Sequence, residues 1–171
     1  MPEDIRDSST RARIYLVRHA EPEITGVLLG QCDPPLSDAG RIEAELILEG
    51  VEVAMVYTSP LRRALETAQI LARGAPVQVM NDLREITYGA WDGQTWAEIE
   101  AADPDLALRK LRNWREVTPP GGELWDDFVA RVKRAFDAIQ QGPRPAVIVA
   151  HAGVNEILGA TGQHYGDVHE L

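Results

Sequence analysis

The sequence predicts an α/β fold, a three-layer α/β/α sandwich with a mostly parallel central sheet. Three observations predict it. Strand-like runs alternate with helical patterns along the chain, the order expected when helices cross between parallel strands. The run 146–150, Ala-Val-Ile-Val-Ala, reads as a buried strand. At 171 residues and 44% hydrophobic content, the chain is long enough to bury roughly 70% of its unfolded surface in one core.

The elements follow in order. Residues 13–18, Arg-Ile-Tyr-Leu-Val-Arg, form an apolar, β-branched and aromatic run that predicts the first strand. Ser37 is a candidate N-cap for a helix ending at Gly50, with Ile42, Leu46 and Ile47 as its apolar positions. Residues 53–58 predict a second strand. Pro60 then opens a helix to Ala72 whose stripe is Leu61, Ala64, Leu65, Ala68 and Leu71, broadened by Ile70. A third short strand is expected over 77–80. The stretch 89–122 holds three of the four Trp residues and predicts short helices over 96–102 and 104–114. A longer helix covers 123–140, with Leu124, Phe128, Val132, Ala135, Phe136 and Ile139 on one side. After the strand at 146–150, a last short helix starts near Val154. Residues 161–171 are polar and carry no strand pattern, which predicts either a smaller sheet or an edge covered by another chain in a homo-oligomer. Residues 1–12 read as a disordered leader and 13–171 as a single catalytic domain.

Charge narrows the function. Seventeen Lys and Arg against twenty-seven Asp and Glu give −10, which opposes affinity for nucleic acid and for anionic membranes. A few arginines in one pocket still suffice for a small anion. The single cysteine, Cys32, excludes an intrachain disulfide. No apolar run approaches the roughly 20 residues of a membrane span, and the N-terminus lacks a signal-peptide core. The expectation is a cytoplasmic protein.

Ligands of open α/β sheets gather beyond the carboxyl ends of the strands. Here those ends deliver Arg18 and His19, then Ser59 and Pro60 with Arg62 and Arg63, then Arg84 and Glu85, and finally His151 and Ala152. Two His, several Arg and one Glu on one rim form a phosphate site, with helix N–H groups as further donors. A His among cations stays neutral and nucleophilic, and a nearby carboxyl can protonate a leaving alkoxide and later activate water. The chemistry is phosphoryl transfer through a phosphohistidine, with Arg and His supplying positive charge and no metal or other cofactor required.

The same residues carry a resemblance. Leu16-Val17-Arg18-His19-Ala20-Glu21 resembles the LVRHGE signature of the histidine phosphatase, or phosphoglycerate mutase-like, superfamily. Five further stretches are similar to that family's segments, in order: residues 35–41 (PLSDAGR), 57–68 (YTSPLRRALETA), 83–93 (LREITYGAWDG), 119–123 (PPGGE) and 149–154 (VAHAGV). The resemblance implies His19 as phosphorylated nucleophile, Glu85 as general acid/base, and Arg18, Arg63 and His151 as ligands of the phosphoryl group. Arg62, Thr25 and Ala152 complete the expected substrate contacts. A short stretch between Glu85 and the PPGGE segment, an early stop after His151, and Thr25 where mutases carry Asn all favour a hydrolase of a small phosphorylated metabolite. The segment 18–36 is similar to α-ribazole phosphatase-like members. The alternatives are a cofactor-dependent phosphoglycerate mutase and a weakly catalytic phosphate-binding regulatory protein. Ala20 replaces the family's Gly, a change tolerated unless positive φ is needed there.

The remaining polar residues get plainer readings. His164 and His169 are expected at the surface, and Cys32 as a small loop filler. Arg109, Lys110, Arg112 and Arg115 form a solvated helix face unless they meet a second anionic group of the substrate. A zinc site from His19, His151, Cys32 and Glu21 lacks any short ligand spacing.

Overall fold

A computed structural model describes residues 13–171, so the leader expected over 1–12 lies outside the described residues. Strands β1 (Ile14–Arg18), β2 (Met55–Thr58), β3 (Val77–Val79), β4 (Ala146–Ala150) and β5 (Val168–Glu170) form one sheet in the order β3-β2-β4-β1-β5. The pairs β2–β3, β2–β4 and β1–β4 are parallel. The register sets Arg18 opposite Ala150, so the next residues, His19 and His151, leave neighbouring strands side by side.

Alternate strand residues face opposite layers, as the period of two requires. Ile14, Leu16, Tyr57, Ile148 and Ala150 pack with Phe128, Val132 and Ile139 of helix α5 (Trp125–Gln140). Tyr15, Val17, Val56, Val147 and Val149 pack with Ala64, Ala68 and Leu71 of helix α2 (Arg62–Leu71). The three-layer sandwich is therefore present, with helices on both faces of the sheet.

Helix α1 (Asp38–Leu46) begins as expected, with the Ser37 hydroxyl accepting from the Gly40 N–H at 2.9 Å. Its buried face matches the expected one only at Ile47, just past its end. Ile42 and Leu46 are 64% and 63% exposed, while Gly40 and Ala44 are buried. A Cβ on Gly40 would lie 2.1 Å from the Glu21 carbonyl oxygen, so close approach selects small residues inside and turns the large ones outward. Helix α2 starts at Arg62 rather than Pro60, capped by Leu61 without a side-chain bond.

Helices α3 (Trp96–Ala102) and α4 (Pro104–Arg112) follow local signals closely. Thr95 and Glu98 form a capping box, and Asp103 caps α4 with Pro104 at its first turn. Their apolar faces make a satellite core of Trp91, Ile99 and Ala107, packed against Leu28, Tyr88 and Trp96. Lys110 departs from the solvated face expected of the basic run. It is buried and donates to the carbonyls of Trp114 and Val117, tying off the end of α4.

The C-terminal stretch also differs from expectation. Val168–Glu170 pair antiparallel with β1, setting Val17 opposite Val168 and Tyr15 opposite Glu170. All three residues of β5 are exposed, so the strand is made by backbone bonds and needed no apolar pattern. Helix α6 (Ala152–Ile157) is brief, and the chain returns from it to β5 across the carboxyl ends of the strands. Among the described residues, no helix is long and apolar enough to cross a membrane.

Candidate active site

A cavity of about 170 Å³ opens beyond the carboxyl ends of β1 and β4, lined by Arg18, His19, Glu85 and Ala152 among polar and small residues. Val27, Leu28, Leu29, Tyr88 and Tyr165 supply the rest of its wall.

His19 is buried and its Nδ1–H donates to the Ala20 carbonyl at 2.8 Å. That bond fixes the tautomer and leaves Nε2 with its lone pair. Burial first, then the Arg63 and Arg18 charges, lower its pKa to about 3, against the Ala20 bond. The ring is therefore neutral throughout the physiological range. His151 stands beside it with ring centroids 5.3 Å apart. Burial and the same arginines push His151 well below its ordinary value too. Ala20 is fully buried, and among the described non-glycine residues only Leu48 and Arg73 have positive φ. The replacement of Gly at that position is sterically free.

The two arginines are held differently. Arg63, 1% exposed, donates from Nη1 to the Cys32 carbonyl at 2.8 Å and from Nη2 to the Leu29 and Gly30 carbonyls at 3.0 Å each. That loop is pinned in turn by Asp92, whose carboxylate accepts the Gly30, Gln31 and Cys32 N–H groups at 3.0, 2.5 and 3.0 Å. Arg18 is half-buried, donates to the Gln163 carbonyl at 2.6 Å and stacks its guanidinium 4.3 Å from the Tyr165 ring centroid. Tyr165 also lies 5.4 Å from the His19 ring.

Glu85 completes the set. Its Oε1 accepts the Ile86 N–H at 3.0 Å and its Oε2 the Gly153 N–H at 3.1 Å. Burial raises its pKa, outweighing those two donors and the Arg63 and Arg18 charges. A Cβ on Gly153 would fall 2.5 Å from Oε1, so only Gly fits beside this carboxyl.

Among the described residues, four buried polar atoms here have no protein partner: Arg18 Nε, Arg63 Nε and both ring nitrogens of His151. An unsatisfied buried donor costs about 1–3 kcal/mol, so the cluster is complementary to an oxyanion rather than to itself.

Other expected contacts are not brought in. Thr25 is exposed and does not line the cavity. The Arg62 side chain is 55% exposed, pairs with Glu66 and points away from the cavity wall. Arg84 is exposed as well. Three helix-start N–H groups are already engaged: Arg62 N–H donates to Asp33, Leu61 N–H to Ser59, and Gly153 N–H to Glu85. Arg109 and Arg112 are exposed and Arg115 pairs with Glu156 at 2.6 Å; none of them lines this cavity. No group of three or more His, Cys, Asp and Glu able to hold a metal occurs among the described residues.

Sequence reasoning assigned no role to Asp92, Tyr88, Tyr165, Glu123 or Arg131. Tyr88 and Asp92 lie in the family-like stretch 83–93 and Glu123 in 119–123, which is the signal the sequence holds for them. Tyr165 lies in a polar stretch that offers none.

An α/β sheet with a neutral His, one buried and one half-buried arginine and a buried carboxyl of raised pKa at its strand ends defines a phosphoryl-binding protein. The chain belongs to branch 1 of the histidine phosphatase superfamily, whose family model matches residues 14–168. It is 35% identical over 156 residues to a bifunctional protein of Mycobacterium tuberculosis, covering 86% of this chain but only 43% of that protein. The chain thus spans under half the length of that relative. It is 29% identical to the adenosylcobalamin/alpha-ribazole phosphatase of Escherichia coli, covering 85% of this chain and 76% of the relative. A solved mycobacterial glucosyl-3-phosphoglycerate phosphatase superposes with a TM-score of 0.82 at 28% identity, covering 93% of this chain and 89% of that one.

Proposed function

We propose that the protein hydrolyses small phosphomonoesters through a phosphohistidine on His19. The observation that carries this reading is the fixed, neutral tautomer of His19, with Nε2 free in a cavity that also holds Glu85, a carboxyl whose pKa burial raises. His19 Nε2 attacks phosphorus, and the bond from phosphorus to the ester oxygen breaks. The Glu85 proton goes to the departing alkoxide, giving a neutral alcohol. Water then attacks the phosphohistidine, Glu85 takes its proton, and the N–P bond breaks to free His19 and inorganic phosphate. Arg18, Arg63 and His151 receive the equatorial oxygens, which is where charge spreads in the transition state.

Hydrolysis is favoured over mutase chemistry by the cavity wall. Among the described residues its lining has no cation beyond Arg18 to hold a second anionic group, and Val27, Leu28, Leu29, Tyr88 and Tyr165 suit a neutral alcohol. A small phosphorylated metabolite as substrate fits a cytoplasmic site of action.

The test uses a radiolabelled phosphomonoester. Wild type is expected to acquire acid-labile, base-stable label and to turn over in EDTA, with inhibition by vanadate. Activity that survives His19→Ala unchanged overturns the mechanism.

A further inference from the structure

Glu85 sits outside the regular sheet and helices, between a short 3-10 turn at Asn81–Leu83 and another at Gly89–Trp91. No strand ladder holds its backbone. One guanidinium holds three carbonyls of this segment, beside a single bond from Gln31 Nε2 to the Glu85 carbonyl at 2.9 Å. Arg131 of α5 donates from Nη1 to the Asp82 carbonyl at 2.9 Å and the Arg84 carbonyl at 2.7 Å, and from Nη2 to the Glu85 carbonyl at 3.0 Å. Its other edge grips Glu123, Nε to Oε1 at 2.7 Å and Nη2 to Oε2 at 2.8 Å. Glu123 closes the ring around the same segment. Its carboxylate accepts the Thr87 N–H at 3.2 Å, and its own N–H donates to the Thr87 carbonyl at 2.9 Å. All three guanidinium nitrogens are engaged, and both side chains are under 20% exposed, at 14% and 18%.

We infer that Arg131, oriented by Glu123, is a positioning residue for Glu85, setting the distance over which its proton reaches the leaving oxygen. Arg131 touches neither cavity nor substrate; it acts through three carbonyls of the segment that carries the acid. Lysine cannot replace it, because an ammonium has no planar fork to bond three carbonyls and a bidentate carboxylate together. A misplacement of about 1 Å in a reacting group costs on the order of 100-fold. The inference rests on the reading of Glu85 as proton donor.

Leaving-group dependence tests it. An alkyl phosphate needs its alkoxide protonated, whereas dinitrophenyl phosphate releases a stable phenolate and does not. Arg131→Gln is expected to lower kcat/KM on propyl phosphate about 100-fold, with the dinitrophenyl kcat/KM changed less than about threefold, because kcat/KM reads phosphoenzyme formation before Glu85 acts on water. Arg131→Lys and Glu123→Gln should show the same selectivity with smaller losses, and they report it if Arg131→Gln fails to fold. Equal losses on both substrates, or no loss on either, overturn the inference. Glu85→Gln separates the two levels. If it is selective and the Arg131 and Glu123 variants are not, positioning by Arg131 fails and the proton donor stands. If Glu85→Gln is not selective, the donor reading itself fails.

Discussion

The two halves of the cavity are built by different means. Arg18, His19 and His151 leave the ends of adjacent parallel strands, where ladder bonds of the β1–β4 pair fix their backbones. The Ala20 N–H adds a bond to Thr67 of α2, and Thr67 bonds the Arg63 carbonyl. Glu85 has no ladder and depends on Arg131, Glu123, Gln31 and the Gly153 N–H. The phosphate half is thus over-determined by secondary structure, and the acid half is determined by a few side chains. Damage to the first should be total, and damage to the second graded and substrate-dependent.

The largest effect tests the first claim. His19→Ala removes the proposed nucleophile and should reduce kcat by about 10⁴-fold or more on every phosphomonoester, whatever its leaving group. Glu85→Gln should cost about 10²–10³-fold in kcat/KM on alkyl esters alone, since kcat/KM ends at phosphoenzyme formation. Steady-state rates on an alkyl and a dinitrophenyl ester read both. A leaving-group dependence in the His19→Ala residue would blur the division between the halves.

Acid and alkali should also separate them. His19 titrates at about 3 in the folded chain, so the unfolded chain binds the proton first as pH drops below 6.5. The stability tied to His19 is complete above 6.5 and drains as pH falls, by about 2 kcal/mol between pH 7 and 5. His151 acts in the same direction. Glu85 runs the other way: with its folded pKa raised, its contribution is complete below 4.5 and lost as pH rises through the folded value. Urea unfolding of wild type and His19→Gln at pH 7 and 5 measures the first effect. The variant should lose about 2 kcal/mol less over that interval; an unchanged difference would mean His19 is not held neutral by burial.

The same division explains what could be read from the sequence. Arg18, His19 and His151 were legible because they sit at the ends of apolar runs, where sheet topology places ligands. Glu85 was legible through its motif and its place after a strand, but the groups that hold it were not. Arg131 lies eight residues past Glu123, on an edge of α5 that periodicity marks only as polar. Arg62 and Arg84 misled because adjacency to a functional residue says nothing about which way a side chain leaves the backbone. Arg63 is the second residue of α2 and turns inward, while Arg62, the first, turns to Glu66. Ile42 and Leu46 misled for a packing reason, since the tight approach of α1 at Gly40 rewards small residues. Strand β5 was invisible because it pairs by backbone alone.

Arg63 is where the comparison is weakest, and Asp92 tests it most finely. Arg63 is delivered by a helix behind the sheet, yet its guanidinium is oriented by the carbonyls of Leu29, Gly30 and Cys32, a loop with no ladder. Asp92 accepts three N–H groups from that loop through two oxygens. Asp92→Asn turns one acceptor into a donor facing N–H groups, so at least one bond is lost and the loop can drift. The nucleophile is untouched, and of the bonds that hold the acid only the one from Gln31 to the Glu85 carbonyl runs through this loop, while the Arg131 and Gly153 bonds stay. The expected result is about a tenfold weaker affinity for vanadate and a kcat/KM loss of similar size. That loss should be equal for alkyl and dinitrophenyl esters, because phosphate binding and not leaving-group protonation is affected. A loss confined to alkyl esters would place Asp92 with the acid half, and no loss would mean that the helix alone orients Arg63.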